Sequence, residues 1–124
     1  QFYFLEVASR VGGAFTAENL EAASGVNLWR EWARLELAGG GRPYRVNPTH
    51  REYGGIVLSL ARQAWPDTSL YDDPEIVYRV NKRHHAGLVV RSAEQRRVTE
   101  LLDLYARRFH DDFCAVAPPL ERPN

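Results

Sequence analysis

Near the start of the chain, the run Phe2-Tyr3-Phe4-Leu5-Glu6-Val7 carries a single acid among apolar residues. Such a run reads as a strand buried on both faces. Side chains alternate along a strand, so Phe2, Phe4 and Glu6 share one face while Tyr3, Leu5 and Val7 share the other. A carboxylate among apolar neighbours is costly unless a cation or strong donors meet it. Whatever fold the chain adopts must therefore bring a positive partner to Glu6. The run then opens into a polar turn, Ser9-Arg10-Val11-Gly12-Gly13.

The rest of the 124 residues reads as one domain with ordinary globular composition, 44% apolar and 26% charged. The formal net charge is zero, so no global field recruits nucleic acid or an anionic membrane. The lone cysteine, Cys114, has no partner for an internal disulfide, which fits a reducing cytoplasm. No run has the length of a membrane span, and no signal-peptide pattern opens the chain. The chain has no methionine. Together with an apolar strand at its very start, this suggests a piece of a larger enzyme, whose open sheet edge would favour a homodimer.

Along the chain, Thr16 is expected to cap a short helix through Glu18, Leu20 and Ala23, with Gly25 as its stop. Asn27 is expected to cap a second. Leu28, Trp32 and Leu35 recur at helical spacing, and Gly39-Gly40-Gly41 ends the pattern. Ile56 to Ala61 predicts a strand after Gly54-Gly55, and residues 65–74 a surface loop. Glu75 to Val80 and Gly87 to Val90 suggest a hairpin. Ser92 with Gln95 has the form of a capping box before an amphipathic helix carrying Val98, Leu101, Leu102, Tyr105 and Phe109. A loose tail is expected over 118–124, after a domain spanning 1–117. The order of elements predicts an α+β fold with a mostly antiparallel sheet and packed helices.

The residue types around the first turn suit phosphate chemistry. Mg²⁺ is commonly held by one or two carboxylates plus substrate phosphates, a role open to Glu6. Arg10 offers a planar fork matched to phosphate or carboxylate. Gly12 and Gly13 remove side chains, so backbone N–H groups are free to approach an anion. Composition equally permits a plain Glu6–Arg10 pair beside a glycine turn.

The segment Phe4-Leu5-Glu6-Val7-Ala8-Ser9-Arg10-Val11-Gly12-Gly13-Ala14, followed by Glu21-Ala22-Ala23-Ser24-Gly25-Val26-Asn27-Leu28, resembles the C-terminal part of ATP-grasp enzymes, the carboxylate–amine ligases and biotin-carboxylase-like proteins. The resemblance is most specific over residues 2–37 and extends along nearly all of the chain. It implies an ATP-grasp fold and an ATP- and Mg²⁺-dependent ligase that joins a small carboxylate to an amine through an acyl-phosphate. It implies Glu6 as metal ligand, Arg10 as the contact to phosphate or acyl-phosphate, and Gly12 and Gly13 lining the acceptor pocket. Ala8, with no donor oxygen on its side chain, stands where the family carries its second ligand, Asn. The family's nucleotide-gripping lysine and hinge would precede residue 1, so the isolated chain is expected to hold ATP weakly and to be inactive.

Other side chains read as structural. His84-His85 fits a hairpin tip, since neighbours on a strand face opposite ways. His110-Asp111-Asp112 reads as a fraying helix end, Trp29 and Trp32 as core, and Cys114 as a buried thiol. A non-catalytic alternative assigns Arg79, Arg83, Arg91, Arg96 and Arg97 to a face that grips an anionic partner.

Overall fold

The structure, a computed structural model, describes residues 10–39, 41 and 43–114. Its organising element is the strand His85–Ser92 (β3), which lies between Tyr53–Leu60 (β1) and Ile76–Arg79 (β2), all antiparallel, in the order β1-β3-β2. Ala86 through Val90 are buried without a break, as expected of a central strand covered on both faces. In register, Gly55 faces Val90, Val57 faces Leu88 and Leu58 faces Gly87. Between Ile76 and Tyr78 the β2 register shifts, and this bulge turns the edge strand.

The helices divide between the two faces. Gly54 and Gly55 are neighbours on a strand and so point in opposite directions. A Cβ on Gly55 would lie 2.7 Å from Val98, in the helix Gln95–Asp112 (α3). A Cβ on Gly54 would lie 2.5 Å from Asn19, in the helix Thr16–Ser24 (α1). The paired glycines therefore let one helix approach the sheet backbone from each side. A third helix, Leu28–Ala38 (α2), packs against α1.

The main core lies between the sheet and α3. Val98, Leu101, Tyr105 and Phe109 present one helical stripe to Ala86, Leu88 and Val90. Tyr71, from the loop before β2, closes the end of this core edge-on to Tyr105 and Phe109 at 5.2 and 5.1 Å between ring centres. Its hydroxyl donates to Asp112 at 2.7 Å, so the buried ring keeps a polar outlet.

The α+β class, the antiparallel sheet, the 65–74 loop and the hairpin agree with the sequence. Asn27 caps α2 as expected, its Oδ1 accepting from the Arg30 N–H at 2.8 Å. Gly25 and Gly39 close α1 and α2 in the left-handed conformation, which glycine adopts without a Cβ penalty. Two caps differ. Thr16 is the first helical residue of α1, and its hydroxyl donates back to the Gly13 carbonyl at 2.8 Å. α3 starts only at Gln95, because Ser92 accepts locally from the Glu94 N–H at 3.2 Å and no side chain caps the helix. The strand expected at Phe2–Val7, with Glu6 and Ala8, and the tail expected over 118–124 lie outside the described residues. No helix among the described residues is long and apolar enough to cross a membrane.

Candidate functional site

On the α1 side the sheet is only partly covered, because α1 is short and α2 leans on it from outside. This leaves an open cleft of about 430 Å³ over Leu58. One wall is the turn Gly12-Gly13-Ala14-Phe15 that leads into α1, continued by Glu18. Trp29 of α2 forms the second wall, and Lys82 with His85 from the β2–β3 turn form the third. Ala14 and Phe15 both take positive φ, 52° and 62°, so the backbone reverses tightly at the rim before the helix begins. Phe15 rests on Tyr78 of β2 at 6.1 Å between ring centres and anchors the turn to the sheet.

The charges in this cleft are not matched by neighbours among the described residues. Lys82, the single lysine of the chain, is exposed, and among the described residues no carboxylate lies within ion-pair distance of it. Glu18 likewise makes no ion pair with any described residue. His85 Nδ1–H donates to the Arg83 carbonyl at 2.8 Å, since a carbonyl only accepts, and the neutral ring in this tautomer offers Nε2 as an acceptor. The turn is held by His84 at φ 56° and by the Lys82–His85 bridge.

Arg10 sits on the other side of the same glycine turn. Its guanidinium lies 3.9 Å from where a Cβ on Gly13 would stand. It lines a second, more apolar groove with Val11, Trp32, Leu35 and Tyr44. At the base of that groove Tyr44 donates to Glu31, which also pairs with Arg34 at 2.8 Å. The Tyr44 hydrogen bond is the main reason the Glu31 carboxyl lies below the usual carboxylate range, with Arg34 adding to it, and it pushes the Tyr44 phenol up.

Of the residues singled out in the sequence, Gly12, Gly13 and Arg10 thus meet at one turn, with the glycines on the cleft and the arginine on the groove behind it. Glu6 lies outside the described residues. Among the described residues no group of three His, Cys, Asp or Glu side chains is arranged to hold a metal ion. No known family model matches the chain, and neither a characterised protein nor a solved structure is found similar to it.

Two readings of the sequence are corrected here. Trp29 and Trp32 are not core: they are 52% and 47% exposed and pack on each other at 5.9 Å. Their helix packs on α1 instead of the sheet, so its apolar face lines the two depressions. Cys114 is only partly buried. Four of the five arginines of the alternative anion-binding face make contacts within the chain. Arg79 donates to the Thr68 and Tyr71 carbonyls, Arg91 pairs with Glu52 at 3.2 Å, and Arg96 with Glu100 at 2.7 Å. Arg97 bridges Asp73 and Glu75, both at 2.7 Å, and ties α3 to the loop before β2. Lys82, Glu18 and Trp29 were not legible as a site, because nothing local in the sequence joins three separated segments.

Proposed function

We propose that this chain is the C-terminal part of an ATP-grasp ligase, which joins a small carboxylate to an amine at the expense of ATP. Two things support this: the order of acid, arginine and paired glycines through Glu6, Arg10, Gly12 and Gly13, and the open cleft beside that turn. The observation that carries it is the Arg10–Gly13 turn, whose side-chain-free backbone lines a cleft large enough for a small substrate while the guanidinium lies on the groove behind it.

In this reading the substrate carboxylate attacks the γ-phosphorus of ATP, ADP leaves, and an acyl-phosphate forms. The amine then attacks the acyl carbon and inorganic phosphate departs. Arg10 opposes charge on the phosphoryl oxygens with two parallel N–H donors. Gly12 and Gly13 line the cleft that would admit the amine substrate. The metal falls to Glu6, because the described residues offer no cluster for it. Bound Mg²⁺ would supply charge neutralisation on the phosphates.

The test is ADP and phosphate release by the full-length protein with Mg-ATP, against a matrix of small carboxylates and amino acids. Some pair of substrates is expected to stimulate release. Glu6→Gln and Arg10→Ala are each expected to lower it by at least about 100-fold while leaving the fold intact by circular dichroism. A protein that releases no ADP with any pair, or that tolerates Glu6→Gln, is not this ligase.

A further inference from the structure

We infer that the cleft between the glycine turn, Trp29 and the β2–β3 turn binds a free α-amino acid with an apolar side chain, held as a zwitterion. Two opposite charges, Glu18 and Lys82, line one cavity of about 430 Å³ without pairing to each other or to another described ion. Both side chains border the same open space, so one acceptor and one donor face a ligand placed there. A ligand that carries a carboxylate and an ammonium on a single carbon satisfies both at once.

The remaining surface selects the side chain. Trp29 is half exposed into the cleft and Leu58 forms its floor, so the wall away from the charges is apolar. Gly12 and Gly13 are exposed backbone without side chains, and they leave the α-carbon of the ligand room to approach. Lys82 takes the carboxylate, Glu18 takes the ammonium, and the ligand's side chain lies on Trp29, where a ring or branched chain buries the most apolar area. His85, whose neutral ring offers Nε2 as an acceptor in this tautomer, lines the same cavity.

This inference rests on the ligase reading only for the role of the ligand, which there becomes the amine-bearing substrate. The binding itself is read without ATP or metal, so its failure and that of the ligase are separable. The experiment titrates the protein with L-phenylalanine, phenethylamine and 3-phenylpropionate, followed by backbone amide shifts and by calorimetry. L-Phenylalanine is expected to move the Gly12, Gly13 and His85 amides in a saturable manner. The two analogues, each lacking one charge, are expected to bind about tenfold more weakly or worse, the effect of losing a hydrogen bond to an ion. Lys82→Ala is expected to weaken L-phenylalanine by a similar factor without changing phenethylamine, and Glu18→Gln the reverse with 3-phenylpropionate. No shift with any of the three, equal affinity for all three, or variants that weaken all three alike would overturn the inference.

Discussion

Replacing Gly55 by alanine probes the contact on which the core depends, the close seating of α3 on β1. The added methyl would lie 2.7 Å from Val98 Cγ1 and 2.9 Å from Leu102 Cδ1, distances that real Cβ atoms do not tolerate. Val98 is β-branched and stiff in a helix, so it does not simply swing away. Overpacking of this kind costs roughly 1–3 kcal/mol. Against it, alanine reduces the entropy of the unfolded chain, a gain of about 0.4–1 kcal/mol. The overlap wins, and a net loss of about 1–2 kcal/mol is expected, or roughly 4–8 °C in Tm for a domain near this size. Val98→Ala alone removes two buried carbons and is expected to cost about 2 kcal/mol. Combined with Gly55→Ala, it removes the closest clashing atom, and the new methyl occupies part of the space. The double variant should therefore be more stable than the sum of the two changes by at least about 0.5 kcal/mol. Urea denaturation of the four proteins measures this directly. Additive losses, or a Gly55→Ala protein as stable as the parent, would refute the seating of α3 on that glycine.

Two further outcomes follow from ion pairs and caps. Asp73 is held below the usual carboxylate range first by the Tyr105 hydroxyl and then by Arg97, while Glu75 is held down first by Arg97. Groups with depressed folded-state values contribute stability that is fully present above the unfolded carboxylate range, about 4, and is lost as pH falls below it. The urea midpoint is accordingly expected to drop as pH falls below the mid-fours, and Arg97→Gln to flatten that drop; an unchanged acid limb in the variant would contradict it. Asn27→Ala removes the cap of α2 and should cost about 1 kcal/mol, read as a lower Tm with a small loss of helical dichroism, whereas Asn27→Ser, which can cap without placing a second carboxylate against Glu21, should restore part of it.

Much of the fold was readable where local chemistry dominates. Val98, Leu101, Tyr105 and Phe109 repeat at helical spacing and all are buried in α3. Gly25, Asn27 and Gly39 punctuate α1 and α2 because their roles depend on a single residue's φ or side chain. The Ser92–Gln95 capping box failed for the same kind of reason: a serine can satisfy a nearby N–H without starting a helix, and here it does so at Glu94. At the candidate site Gly12 and Gly13 were legible as an opening beside Arg10, but Lys82 and Glu18 were not.

The chain's own order of residues determined which segments are helix and which are strand, and where α1 and α2 stop, since propensity, caps and periodicity act within a few positions. Only the tertiary structure decided which apolar faces are covered. Trp29 and Trp32 have the spacing of a core stripe, yet α2 packs against α1 and leaves them half exposed. The same held for charge: Arg97 found its acids more than twenty residues away, at separations of 22 and 24 along the chain, while Lys82 found none among the described residues. Packing is a contest among distant surfaces for the same buried area, and its outcome lies in the assembled layers of helix and sheet.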